Sequence, residues 1–310
     1  MQIRKYDSVD RTQVVSLMNR CGIAKTEEEF ERELDEPGER TRDNMFVAEI
    51  DGQIVGDLRL CFVDSSVSGH VTVFTFGETD PVFTSQKVEL LLYEQGLAHL
   101  KMLAEQEEMR VDVIRNVHTD ENDLIVALHR CGFEPSVRIL GMMQDPLLVH
   151  DFFSVPTGFV IRPASASDAD AVAAVNNDAF AWRTDVMTKL TAESVRYEME
   201  ATDCSPDLYP VVQSEAGGVV GFAHCTVDDC DDVRVGRVET IAVSSDVQGM
   251  GLGKALLHAC LQQFANRGVQ RAVLSVESDN PSAALHLYES VGFRNIKEIV
   301  RYKLAIDHDR

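Results

Sequence analysis

The chain presents the same order of sequence landmarks twice. Each half opens with an extended segment and a helix pattern, at Ile3-Arg4 and again at Ile161-Arg162-Pro163. A hairpin, a strand, a long helix, a second strand and a short helix follow. The halves close with Gly132-Phe133 and Gly292-Phe293, which are 160 residues apart in a chain of 310. A repeat of about half the chain length predicts two domains with one fold.

Turn signals and a short linker set the predicted domain bounds. Asp51-Gly52 is a strong hairpin turn in the first half, and Gly217-Gly218 occupies the same place in the second. Pro156-Thr157-Gly158 marks a linker. We therefore predict a domain at 1–148, a linker at 149–158 and a second domain at 159–306. The element order predicts an α/β fold with a central mixed sheet flanked by helices in each domain.

Composition argues against several classes of partner. Asp and Glu number 51 against 29 Lys and Arg, and the formal net charge of -22 disfavours nucleic acid and anionic membranes. No apolar run reaches the ~20 residues of a membrane helix and the first residues lack a signal core, so we predict a cytoplasmic protein. Seven cysteines without a C-x-x-C pair, and histidines that do not cluster, predict neither a disulfide framework nor a metal site.

The second half contains a glycine-rich helix start. The segment VQGMGLGKALL, Val247–Leu257, leads from a predicted strand at Val235–Val243 into a predicted helix that runs from Met250 to about Asn266. Glycines at a helix N-terminus leave its unpaired N–H groups open to an anion such as a phosphate, although an ordinary loop is the alternative. The spacing fits neither a Walker A loop nor a dinucleotide fingerprint, because Lys254 stands where the latter needs its last glycine.

Further along, Ala272–Val276 predicts a buried strand, and Asn280-Pro281 predicts the cap and first turn of a short helix that ends at Ser290. With these parts in order, the segment from about Ile161 to Leu304 resembles the GNAT acetyltransferase superfamily. The resemblance is carried by Gln248, Gly251 and Gly253, by the strand VETIAV and by the segment ESDNPSAALHLYESVGF. A tandem of this size also resembles the mycothiol synthases, in which two such domains are fused.

The resemblance implies that acetyl-CoA is a co-substrate, with its pyrophosphate on the glycine loop and its pantetheine arm along the preceding strand. The residues expected to bind it are Ile241, Ala242, Val243, Gln248, Gly249, Met250, Gly251, Leu252, Gly253, Lys254, Asn280 and Ala284. For Asn280, a helix-cap role explains the residue equally well.

Two side chains are candidates for the proton transfers. Glu239 precedes the loop on the strand, where several members of the superfamily carry the general base; the alternative is a solvated strand carboxylate. Tyr288 lies on the short helix, where the superfamily places a tyrosine beside the CoA sulfur as general acid; the alternative is a core aromatic. The N–H group of Val243 is the candidate oxyanion donor. Trp182-Arg183 could contact the acceptor or form a surface loop.

The first half looks like the same fold with its loop eroded. Lys87 and Glu89 stand where Gly251 and Gly253 stand in the second half, and Leu128 stands where Tyr288 does. A glutamate there would repel a pyrophosphate. We therefore expect the first domain to serve as scaffold or as a wall of the acceptor pocket.

These features predict an N-acetyltransferase that moves an acetyl group from acetyl-CoA to a primary amine of a small molecule or peptide. Two alternatives remain open: a non-catalytic acyl-CoA-binding sensor, or acetylation of a cysteinyl-glycoside amine. A monomer and a homodimer are both compatible with a fused pair.

Overall fold

A computed structural model describes residues 1–35, 40–64, 69–83, 87–149, 154–183, 189–200, 205–230, 233–278, 280 and 284–307. These residues form two compact units, of which the first contains Met1–Val137 and Val300–Arg310 and the second contains Arg138–Thr184 and Lys189–Ile299. No helix among the described residues is long and apolar enough to span a membrane.

The first unit contains a mixed sheet in the order β1-β2-β3-β4-β5-β12, of which β12 (Arg294–Ile306) contributes its C-terminal part. Its elements are β1 (Gln2–Lys5), α1 (Arg11–Arg20), α2 (Glu27–Leu34), β2 (Met45–Ile50), β3 (Gln53–Asp64), β4 (His70–Phe76), α3 (Val88–Gln106), β5 (Arg110–His118) and α4 (Asn122–Arg130). The β4–β5 pair is parallel. One apolar core lies under α3 and α4 and another under α1 and α2, so helices cover both faces.

The second unit repeats this arrangement with the order β7-β8-β9-β10-β11-β6. Its elements are β6 (Glu134–Gln144), β7 (Phe159–Pro163), α5 (Ala169–Ala179), α6 (Ala192–Glu200), β8 (Pro210–Ser214), β9 (Val219–Cys230), β10 (Val233–Val243), α7 (Leu252–Asn266), β11 (Arg271–Glu277), α8 (Ala284–Ser290) and β12 (Arg294–Ile306). The β10–β11 pair is parallel. One core lies under α7 and α8 and the other under α5 and α6. The predicted α/β fold with a repeated mixed sheet is confirmed.

The repeat extends to individual hydrogen bonds. Arg4 donates to both carboxylate oxygens of Asp10 at 2.6 and 2.8 Å, and Arg162 donates to Asp168 at 2.7 and 2.8 Å. In each unit the aspartate closes a capping box before the first helix, and the arginine holds the pKa of that carboxyl below its ordinary value. The start of each copy of the repeat is therefore stabilised by the same local interactions.

The compact units differ from the predicted bounds at two places. Residues Ile139–Gln144 pair with β11, so the end of β6 belongs to the second unit although the predicted first domain runs to 148. Conversely, Tyr302 and Ile306 are buried in the core of the first unit, although the predicted second domain runs to 306. Each unit therefore contains a strand segment from the other sequence repeat: the end of β12 in the first unit and the end of β6 in the second.

Candidate active site

The parallel strands β10 and β11 separate at their carboxyl ends. Their pairing ends at Val238 and Leu274, whereas both strands continue, to Val243 and Glu277. Over that stretch β10 stays paired with β9, and β11 stays paired with β6. The facing edges therefore leave an opening, here called the strand gap, in which backbone groups are available to a ligand that adds as an extended strand.

Backbone direction shows which groups face the strand gap. The N–H of Ser244 donates to Val220 of β9 at 2.9 Å. Successive N–H groups of a strand point to opposite edges, so the N–H and C=O groups of Val243 and Ile241 point into the strand gap. The amide of Gln248 donates to the Val243 carbonyl at 2.9 Å on that side. This direction suits the predicted roles of Ile241 and of the Val243 N–H.

A cavity of about 280 Å³ adjoins this edge. It is lined by Ile241, Val243, Val247, Gln248, Gly249, Gly251, Leu252, Gly253, Lys254, Ala284, Leu287 and Tyr288. The structure thus brings together the strand end, the glycine loop and the short helix, which are far apart in sequence. Three of the residues predicted to bind acetyl-CoA lie outside this lining. Ala242 directs its methyl group into the core under α5 and α6, Met250 is 53% exposed, and Asn280 lies in the turn after β11.

The glycine loop has the geometry of an anion site at the start of α7. Gly251 is the N-cap and has φ +85, in the left-handed region, and Gly249 has φ +79. No side chain caps the helix, so the N–H groups of its first turn are left without a side-chain acceptor. The helix start predicted at Met250 lies at Leu252, because the left-handed Gly251 ends the loop. The cap predicted at Asn280-Pro281 cannot be compared, since 281–283 lie outside the described residues.

Tyr288 lies in the wall of the cavity with 8% of its surface exposed. Its ring packs edge-to-face on Phe293, with 6.2 Å between ring centroids. Burial, with smaller contributions from the neighbouring Cys260 and Cys225, raises the pKa of Tyr288 to about 12. The phenol is therefore protonated throughout the physiological range, as a proton donor must be.

Glu239 lies on the face of the sheet opposite to α7, α8 and Tyr288. The strand register shifts between Val238 and Thr240, which makes Glu239 the extra residue of a β-bulge. Its carboxylate accepts a hydrogen bond from the Thr226 hydroxyl at 3.1 Å and lies 3.3 Å from the Arg237 guanidinium. The side chain is 40% exposed; its partial burial raises the pKa of Glu239, and Arg237 opposes the increase.

A second carboxylate, which no sequence motif indicates, lies on that same face. Glu277 ends β11 at the strand gap and is 9% exposed. Leu274 and Val276 both point into the core under α7 and α8. Because successive side chains of a strand alternate between faces, Glu277 points to the opposite face, which also holds Glu239. Arg183, in the segment after α5, forms an ion pair with Glu277. Arg183 therefore lies in a partly exposed loop, as the surface-loop alternative expected, but its guanidinium is held by Glu277; its contact with an acceptor stays a prediction.

The first unit differs at the corresponding positions. Lys87 is the left-handed N-cap of α3, with φ +62, as Gly251 is of α7. Glu89 lies in the first turn of α3, and Leu128 is fully buried in the core. A left-handed N-cap is thus present in both units, with Lys87 and Glu89 where the second unit has Gly251 and Gly253.

Residues 176–293 match the acetyltransferase (GNAT) family. A mycothiol acetyltransferase of Saccharomonospora viridis is 32% identical over 154 residues, 48% of this chain and 50% of that protein, so the chain spans about half the length of this curated relative. A GCN5-related N-acetyltransferase structure from Sphaerobacter thermophilus has a TM-score of 0.72 at 18% identity, covering 99% of this chain and 96% of that chain. A tandem GNAT protein from the clavulanic acid biosynthesis pathway has a TM-score of 0.71 at 14% identity, covering 98% of both chains. Together with the repeated fold, these similarities show an acetyltransferase (GNAT) family match at residues 176–293, within a chain that has the fold of tandem GNAT proteins.

Proposed function

We propose that this protein transfers an acetyl group from acetyl-CoA to a primary amine of a small molecule, at the strand gap of the second unit. The observation that carries the proposal is the shared cavity, in which the uncapped N-terminus of α7, the open edge of β10 and the Tyr288 ring meet. The N-terminus of α7 suits a pyrophosphate, and the edge of β10 suits the amide groups of a pantetheine arm. The Tyr288 ring suits a thioester sulfur.

In the proposed reaction each group of the chain has one task. The N–H groups at the start of α7, with Lys254 beside them, hold the pyrophosphate. The Val243 N–H polarises the thioester carbonyl and stabilises the oxyanion that forms when the amine attacks. The amine loses one proton, through water, to Glu239. The C–S bond then breaks, and Tyr288 gives one proton to the departing thiolate, so that the products are an amide and free CoA.

The acceptor enters from the face that holds Glu239, Glu277 and Arg183 in this proposal. Glu277 is nearly buried and paired with Arg183, whereas Glu239, although 3.3 Å from Arg237, is 40% exposed and open to the water that relays the proton of the neutral amine. A cysteinyl-glycoside amine is the narrower acceptor that we propose, on the strength of the similarity to a mycothiol acetyltransferase. The hydroxyl groups of such a glycoside could accept from Arg183.

A thiol-release assay with acetyl-CoA tests both the transfer to a primary amine and the narrower choice of a cysteinyl-glycoside. The panel contains a cysteinyl-glycoside, simple amino acids, aminoglycosides and aliphatic amines, with each N-acetylated counterpart as a blocked control. We expect release that depends on a free amine, and the highest kcat/KM with the cysteinyl-glycoside. Acetyl-CoA binding without amine-dependent release on any member would support the sensor alternative instead.

A further inference from the structure

The first unit contains a cavity of about 470 Å³, which is within the range of small-molecule sites. It is lined by Asp57, Leu58, Gly77, Glu78, Thr79, Glu89, Leu92, Tyr93, Arg115, Asp120, Glu121, Asn122, Asp123 and Leu124. Its walls are formed by β3, the segment after β4, the first turns of α3, the strand β5 and the start of α4. The corresponding elements of the second unit surround the strand gap and its cavity, so the repeat has kept a ligand-sized space at this position.

The charge of the lining is opposite to that of an anion site. Six of the lining residues are acidic, and Arg115 is the one cationic residue among them. The Arg115 guanidinium is committed to the backbone, because it donates to the carbonyls of Thr75 at 3.0 Å and Gly77 at 3.1 Å. The cavity therefore repels a pyrophosphate and attracts cations.

Three of these carboxylates are withdrawn from water. Asp57 is 3% exposed, and Glu78 and Glu89 are partly buried. Burial raises the pKa of each of them, and the charge of Asp57 adds to the increase at Glu78. Asp57 already has a cation at 3.1 Å, the guanidinium of Arg59, whereas a bound cation would offset the cost of keeping Glu78 and Glu89 charged. The lining also includes the apolar side chains of Leu58, Leu92, Tyr93 and Leu124, which suit a methylene chain.

We propose that this cavity binds an aliphatic di- or polyamine, with ammonium groups on Glu78 and Glu89 and the intervening methylenes against the apolar side chains of the lining. This site lies in the first unit and does not depend on acetyl transfer in the second. It gives that unit a binding function of its own in place of the lost acyl-CoA site.

Calorimetry on the full chain with spermidine as the probe tests the proposal. We expect one strong site per chain that weakens with added NaCl, and no comparable heat with 1,8-octanediol, which matches the chain but lacks the charges. Glu78→Gln and Glu89→Gln should each weaken binding by about tenfold or more, since each removes a charged hydrogen-bond partner. The matched control is Glu105→Gln, which removes the same charge from an exposed position on α3 and should leave the affinity unchanged.

Three results would overturn it. An equal loss in Glu105→Gln and Glu89→Gln would mean diffuse attraction to an acidic protein. Binding that is lost in Glu239→Gln but kept in Glu78→Gln would assign spermidine to the second unit. Wild-type protein that binds octanediol as well as spermidine would remove the role of charge, and this last comparison requires no variant.

Discussion

Replacing Tyr288 by Phe is expected to separate the chemistry of the phenol from its packing. The variant keeps the ring that packs on Phe293 and removes only the hydroxyl group. We expect turnover at saturating amine to fall by about 10²-fold, which corresponds to about 2.7 kcal/mol of the barrier, because the thiolate then leaves without a positioned proton donor. The affinity for acetyl-CoA should change little, since the pyrophosphate and pantetheine contacts are made elsewhere.

The raised pKa of Tyr288 gives the same variant a second, independent signature. In an unfolded chain a tyrosine loses its proton near pH 10, whereas the buried phenol keeps it to about pH 12. Between these values the folded protein binds more protons than the unfolded chain, so this group's contribution to stability is complete below pH 10 and is lost as pH rises to 12. Two pH units correspond to about 2–3 kcal/mol, and the Phe variant should lack this decline.

Two measurements check this pair of expectations. Pre-steady-state thiol release reports the chemical step, and urea unfolding at pH 8 and pH 11 reports the stability difference between the variant and the wild type. The variant should be nearly as stable as the wild type at pH 8 and relatively more stable at pH 11. Wild-type turnover by a folded Tyr288→Phe protein, where chemistry limits the rate, would make Tyr288 a core residue without a catalytic role.

Other variants address the remaining groups of the site. Gly251→Val forces a β-branched residue to φ +85 and should abolish acetyl-CoA binding in calorimetry, whereas Gly268→Ala, at φ +70 beyond the far end of α7, should not. Glu239→Gln should lower turnover by about 10²-fold and flatten the acidic limb of the pH–rate profile. Because the pKa of Glu239 is raised, the wild-type limb should lie at a higher pH than that of an ordinary glutamate. A limb unchanged in the variant would exclude Glu239 as the base. Arg183→Ala should raise the KM for the cysteinyl-glycoside about tenfold with acetyl-CoA affinity unchanged, because it removes the guanidinium proposed to donate to the glycoside hydroxyl groups. An unaltered KM would leave Arg183 only its structural ion pair with Glu277.

The features that the sequence alone predicted correctly depend on short-range rules. Asp51-Gly52 adopts positive φ at its hairpin, and Gly251 adopts it at the start of α7, because these conformations are decided within a few residues. The internal repeat was visible for the same reason, since each copy contains its own turns, caps and apolar periods. The correspondence of Lys87 and Glu89 with Gly251 and Gly253 also follows from the sequence repeat itself.

The strand pairing and the face assignments depended on tertiary structure. The apolar pattern of Glu134–Gln144 suits a strand in either unit, and only its pairing with β11 decides that its end belongs to the second. The bulge at Glu239 moves the following side chains to the opposite face, so a count along the strand from Val238 assigns the wrong face to Ala242. Arg183 and Glu277 are 94 residues apart in sequence, and no local pattern relates them. Such contacts are formed by the closing of the sheet and its covering helices, a long-range event that short-range propensities do not encode.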